Sequence, residues 1–279
     1  MSGDKMTLAV DCHVHLYQFA DLPRLLAAVV INSEKACGNL PKAAREMSGK
    51  AILPTLILTE PKDRDSFARI FELASGSEQQ TLSGWHLRSG GDALSVFAEG
   101  DDGAVLIISG QQVVTAERLE ILAVGCQPNL EDGLALTATL AAIHKKGAFP
   151  VFPWGVGKWL GRRGRLLSDL ISQAKREDFA LADTSSRPLL WSEPLFTAVR
   201  AKGLVMLRGT DPLPLPGQVE KAGAFGSLMR ILFNSDRPAA SLLAGLRGGS
   251  LDILSFGQPD SCRAFLGTQL DIRFKKVRK

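Results

Sequence analysis

The sequence predicts an α/β chain folded as a distorted, TIM-like β/α barrel with an antiparallel β insertion in its first half. Three observations carry this. Apolar runs of strand length alternate with stretches of helical periodicity through most of the chain, the rhythm of parallel β/α units. That rhythm breaks over residues 80–110, where short β-type runs are separated by the turn signals Ser-Gly-Gly-Asp and Glu-Gly-Asp-Asp-Gly. The first strand then ends in Asp11-Cys12-His13-Val14-His15, polar chemistry at the strand end where a β/α barrel keeps its functional groups.

Taken in order, Thr7 to Val10 form the first strand, followed by a helix over 21–37 with Asp21 at the N-cap and Pro23 in its first turn. Residues 44–50 close a short second helix, 51–60 read as a buried strand, and 63–75 as an amphipathic helix with Phe67, Ile70, Phe71 and Ala74 on one stripe. The insertion is a meander whose last strand, Val105 to Ser109, returns to the main sheet, and 111–125 hold two extended pieces joined by a tight connection. A helix over 131–147 ends in cations and Gly147, as the helix dipole and a C′ glycine favour. Strands over 148–155, 179–183 and 204–211 then alternate with helices over 165–177 and 192–203. After a Pro-rich loop come helical pieces over 226–234 and 237–248, and 268–276 alternate Leu270, Ile272 and Phe274 as a half-exposed closing strand.

A chain of 279 residues, 45% hydrophobic and 22% charged, can bury a core without staples. It shows no repeat, low-complexity tract or linker, so residues 1–279 are read as one domain. The net charge of +4 sits largely in the last residues and one loop, short of the extended basic surface of a nucleic-acid binder. A small anionic substrate is therefore favoured over nucleic acid. Cys12, Cys37, Cys126 and Cys262 are scattered, with no C-x-x-C pair, and read as free thiols in a reducing compartment. Asp4 and Lys5 come too soon for a signal peptide, and no apolar stretch has membrane-spanning length, so the expectation is a cytoplasmic protein without a membrane partner.

On an extended strand Asp11, His13 and His15 project to one side. Two imidazoles so placed can share one ion, and mixed imidazole and carboxylate donors point to one divalent transition metal, Zn, Mn or Fe. The last polar residues of the other strands, Gln112, Glu120, Trp154, Asp183 and Asp211, are expected at the same mouth. A glycine-punctuated stretch, Pro153 to Arg165, carries Lys158, Arg162, Arg163 and Arg165 with Trp154 and Trp159 interleaved. Glycines let backbone N–H groups approach an anion, and Arg binds phosphate bidentately. It lacks the P-loop spacing, and a solvated basic loop packed down by its tryptophans is the plainer alternative. Asp183 and Arg187 border the same mouth. His144 reads as a structural residue at a helix C-terminus, and His86 is not assigned.

The opening Asp-Cys-His-Val-His-Leu resembles the D-x-H-x-H motif of the polymerase-and-histidinol-phosphatase (PHP) family, barrels whose strand-end residues bind up to three metals for phosphoester hydrolysis. Residues 108–125 are similar to the stretch that carries a glutamate and a histidine ligand in that family. Gln112 or Gln111 stands at the glutamate position, and Glu120 at the histidine position. Residues 148–155 resemble the strand that ends in His-Pro, with Trp154-Gly155 there instead. Residues 207–214 resemble the late S-D-x-H motif, with Asp211 kept and Leu213 replacing the histidine. The resemblance implies a PHP-type barrel with a reduced site: His13, His15, Asp211, and Glu120 or Gln112, enough for one ion. It implies a metal-dependent phosphoesterase in which Glu120 is ligand or general base and Lys158 and the arginines meet the substrate anion. A non-catalytic barrel that binds a ligand or partner through the Trp/Arg loop is the alternative. A mononuclear amidohydrolase-type hydrolase ranks last, because it needs further histidines on the middle strands.

Overall fold

The computed structural model describes residues 4–42, 52–64, 66–76, 81–248 and 251–277. The strands of the first half are β1 (Asp4–Val14), β2 (Ile52–Glu60), β3 (Thr81–Leu82), β4 (Trp85–Ser89), β5 (Ser95–Gly100) and β6 (Gly103–Val114). Those of the second half are β7 (Glu120–Val124), β8 (Phe149–Pro153), β9 (Ala180–Thr184), β10 (Val205–Gly209), β11 (Gly226–Phe233) and β12 (Asp252–Phe256). The helices are α1 (Leu22–Gly38), α2 (Ser66–Ser75), α3 (Leu136–Lys145), α4 (Arg162–Gln173), α5 (Pro194–Ala201), α6 (Pro238–Arg247) and α7 (Cys262–Val277).

These strands form one sheet in the order β10-β9-β8-β7-β6-β2-β1-β11-β12, with β3, β4 and β5 branching from β6 as an antiparallel meander. β1, β2 and β6 run parallel, as do β8, β9 and β10. β7 is antiparallel to both its neighbours, and β11 and β12 close the far end antiparallel. The sheet curls into a nearly closed barrel. β11 begins at Gly226 and its pairing with β1 starts where Ser227 faces Val10; beyond that point the end of β10 lies beside β1, where the Asp211 N–H donates to the His13 carbonyl at 2.8 Å. Below that junction β10 and β12 stand apart, bridged by Arg208 Nη1, which reaches the Phe256 and Gly257 carbonyls at 3.5 and 3.3 Å.

Alternation along the strands sorts their side chains into two layers. Leu8, Val10, Ile57, Ile108, Phe149 and Val151 belong to the barrel core, and Leu242, Leu243 and Leu246 of α6 cap it from the end opposite the mouth. Outside, α1 and α2 pack through Leu25, Leu26, Val29, Phe67 and Ile70. Over the other half, α3, α4 and α5 pack through Ile143, Leu167, Ile171, Phe196 and Val199.

Three elements depart from the sequence expectation. Residues 226–234 are not helical: Ser227 to Phe233 pair with β1, and Met229, Ile231 and Phe233 turn into the core at period two while Arg230 and Leu232 are exposed. Leu, Met and Arg are sound helix formers, and an available strand edge overrides them. Residues 268–276 are not a closing strand but lie in α7, which starts where Ser261 Oγ accepts the Ala264 N–H at 3.2 Å. β12 has no counterpart in the sequence reading. The short helix over 44–50 falls outside the described residues.

Candidate metal centre

A bulge in β1 builds the site. Between Asp11 and Val14 the strand spends three residues against two of β2, with Asp11 opposite Leu56 and Val14 opposite Leu58. Such an extra residue reverses which face the following side chains take. Leu8, Val10 and Cys12 belong to the barrel core, whereas Val14 and Leu16 pack in the outer layer against Leu22 and Leu25. His13 and His15 are thereby turned to the mouth.

Asp11 does not share their face. Its buried carboxylate accepts hydrogen bonds from Thr210 N at 2.9 Å, Thr210 Oγ1 at 2.5 Å and Gly223 N at 2.9 Å. Burial pushes this carboxyl up to about 6, and the donors from Thr210, Gly223 and His13 pull the other way. Asp11 is a staple joining β1, the end of β10 and the turn before β11.

At the mouth His13 Nε2 lies 3.0 Å from His15 Nε2, 3.1 Å from Gln112 Oε1 and 3.6 Å from Asp211 Oδ1, with His15 Nε2 at 3.5 Å from the same oxygen. The ligand atoms of His13, His15 and Asp211 all fall within 4.8 Å of one another. Asp211 takes a left-handed backbone, φ +48°, which aspartate tolerates better than most residues. Gly209 permits the close approach of β10, since a Cβ there would sit 2.6 Å from His13 N. Of the two glutamines, Gln112 faces His13, while Gln111 holds Leu130 through both amide atoms at 2.8 and 2.7 Å.

Burial lowers His13 to about 4, with His15 and Lys158 adding to the fall and Asp211 opposing it, so the ring is neutral at neutral pH. Burial alone would raise Asp211, but His13, His15 and Lys158 hold its carboxyl well below the usual range. His13 Nδ1 is buried without a hydrogen-bond partner among the described residues, so nothing pins its tautomer. Two imidazole nitrogens, a carboxylate oxygen and an amide oxygen thus converge with fewer ring protons than lone pairs. A divalent cation satisfies such a set, and the residues fit one.

The other residues singled out in the sequence take varied positions. Glu120 opens β7, and because β7 runs antiparallel to β6 its first residue, opposite Val114, is at the mouth. Its carboxylate is bound by the Lys158 ammonium and stands apart from the three-ligand cluster. Trp154 follows the outward phase of Phe152, donates from Nε1 to Glu193 Oε2 at 3.2 Å, and meets Trp191 edge-on at 5.9 Å. Trp159 packs on Phe196 at 5.6 Å. Both tryptophans thus belong to the outer layer. Arg162, Arg163 and Arg165 open α4: Arg163 holds the Gly157 and Arg118 carbonyls at 2.7 and 3.3 Å, and the other two are exposed. Asp183, in the outward phase of Leu181, binds Arg187 through both oxygens at 2.7 and 2.8 Å. His144 is exposed at the end of α3, and His86 Nδ1 lies 3.2 Å from Thr81 Oγ1 in the meander.

The sequence reading missed Tyr17, the one tyrosine of the chain. Its ring lies 5.7 Å from that of His15, Arg64 lies over it at 5.5 Å, and burial raises its phenol, with Asp211 and Glu120 adding to the rise. Its position two residues after His15 was the available signal. Glu60, a buried acid ending β2, is accounted for as the cap of α2, accepting from Ser66 N and Phe67 N at 3.2 and 2.8 Å.

No family model matches the chain, and no curated protein matches it by sequence. In structure it is similar to PsfC from Pseudomonas syringae PB-5123, with a TM-score of 0.54 and 12% identity over 99% of this chain and 100% of that one. A two-domain protein from Bacteroides vulgatus ATCC 8482, containing a predicted PHP-like metal-dependent phosphoesterase, matches at TM-score 0.48 and 14% identity over 91% of this chain and 66% of that one. The lesion-specific endonuclease PfuEndoQ from Pyrococcus furiosus matches at TM-score 0.48 and 10% identity, over 90% and 58% respectively. At such identities the likeness is one of fold.

Proposed function

We propose that this chain is a divergent PHP-type, metal-dependent hydrolase acting on an anionic small molecule, a phosphoester in first place, at a site for one divalent ion. The observation that carries the proposal is the convergence of His13 Nε2, His15 Nε2 and Asp211 Oδ1 within 4.8 Å, with Gln112 Oε1 against the first of them. Those three residues would hold the ion, with Gln112 as a neutral further donor. Their donor types select Zn, Mn or Fe over Ca or Mg. Bound there, the ion supplies Lewis-acid polarisation of the scissile group.

The chain's own groups do the rest. Lys158 offers its ammonium to the substrate anion. As it does so it releases Glu120, which then accepts the proton of the attacking water. Arg162, Arg163 and Arg165 add positive potential beside the mouth, while Trp154, Trp159, Asp183 and Arg187 brace the loops that carry these groups.

Metal analysis of protein purified without chelators, paired with hydrolysis of model phosphoesters, tests this. His13→Ala and Asp211→Asn should lose ion and activity together. Glu120→Gln should lower the rate by about 10²–10⁴ while the ion stays, the usual worth of a general base. Protein that takes up less than about a tenth of an equivalent from excess Zn or Mn, far below a functional site's affinity, would reject the reading. The Glu120–Lys158 ion pair favours one alternative, a non-catalytic barrel that binds metal and anion. In that case wild-type protein loads with metal and hydrolyses nothing.

A further inference from the structure

The seam between β10 and β12 holds a cavity of about 300 Å³, at the small end of ligand sites. Leu207 and Ile253 line it from the two facing strands, and Arg176, Arg200 and Arg208 bring three guanidinium groups to it. Asp183 is the one carboxylate among the described lining residues. Both its oxygens are already taken by Arg187 at 2.7 and 2.8 Å. Arg176 is tethered through Nε to the Gly248 carbonyl at 2.9 Å and through Nη1 to that of Gly203 at 3.0 Å, which leaves Nη2. Arg208 is half-buried over the Phe225 ring at 4.7 Å, and its hydrogen bonds to Phe256 and Gly257 are long, 3.5 and 3.3 Å. Burial pulls this guanidinium below its ordinary range, and the like charges of Arg187 and Arg200 add to the fall against Asp183.

Gathering cations in a partly buried slot without a free counter-charge is costly. Arginine forks match the oxygens of a phosphate or sulfate. We propose that this seam is a second anion site, taking a compact dianionic oxyanion, either free or as the phosphate group of a small molecule. His13, His15 and Asp211 do not line it, so the proposal stands independently of the metal-dependent activity.

Phosphate and sulfate binding to the full chain, by calorimetry and thermal unfolding against chloride at equal ionic strength, tests it. EDTA is present throughout, so that no ion at His13 and His15 holds the anion. Wild type should bind both oxyanions and gain thermal stability. Arg200→Gln, an exposed change that spares the fold, should weaken binding by about ten-fold, the worth of one charge-assisted contact. Arg208→Gln should weaken it further, and Arg69→Gln, which removes an exposed cation of α2 away from the seam and the mouth, should leave it unchanged. A small organic phosphate monoester that binds more tightly than inorganic phosphate assigns the rest of the cavity to its carbon skeleton, and equal binding assigns the site to the oxyanion itself. Absence of any oxyanion effect in wild type, full binding by Arg200→Gln, or loss of binding in Arg69→Gln would overturn the proposal.

Discussion

Asp11 and His13 stand two residues apart and do opposite work because a bulge lies between them. Asp11 ties three chain segments together from the outer phase of β1, and His13 presents a neutral ring to the mouth. Removing the Asp11 carboxylate strands the buried Thr210 and Gly223 donors, at roughly 1–3 kcal/mol for each unsatisfied group. Asp11→Ala should therefore lower the denaturant midpoint markedly, while the molecules still folded bind metal as wild type does. His13→Ala should do the reverse, and the two together separate staple from ligand. The thiols give a check on burial. Cys12, Cys37 and Cys126 are buried, and burial raises all three, Cys37 to about 11 and Cys126 to about 12, whereas Cys262 is exposed. A thiol reagent at neutral pH should label Cys262 in the native protein and the others only in denaturant.

At the scale of elements, α4 is unusual in starting with Arg162, Arg163 and Arg165, cations at the positive end of a helix dipole. Arg163 braces the Gly157 and Arg118 carbonyls, but nothing in the folding of α4 calls for Arg162 and Arg165 there, since its packing runs through Leu167 and Ile171. Arg162→Gln/Arg165→Gln should leave the thermal midpoint unchanged or slightly raised, because exposed charges add little to stability, and should weaken binding of the substrate anion at the mouth. A large loss of stability would instead make the start of α4 a structural element. β11 shows the opposite balance, with helix-forming residues held extended by the pairing of Ser227 to Phe233 with β1.

Across the whole molecule, the site exists because the barrel closes unevenly. β10 meets β1 through Gly209 and Asp211 at the mouth, and parts from β12 lower down along the arginine-lined seam. Gly209 is the tightest point of that closure: a Cβ would fall 2.6 Å from His13 N and 2.7 Å from His13 Cβ. Gly209→Ala should cost about 1–3 kcal/mol, typical of overpacking. It should also weaken metal binding by moving His13 from Asp211, and chemical denaturation with metal titration reads both. No helix among the described residues is long and apolar enough to cross a membrane.

The alternation of apolar strands and amphipathic helices, the meander with its glycine turns and the H-x-H at the end of β1 were legible in the sequence by themselves. Each is a local pattern whose period or turn chemistry a single stretch carries. The tertiary structure alone decided that Gln112 rather than Gln111 faces His13, that Glu120 is claimed by Lys158, and that Trp154 and Asp183 turn to the outer layer. It also made a strand of residues 226–233 and a helix of 262–277. The reason is physical. One extra residue in β1 reverses the facing of everything after it, and the edge that holds β11 extended is supplied by β1, more than two hundred residues earlier in the chain.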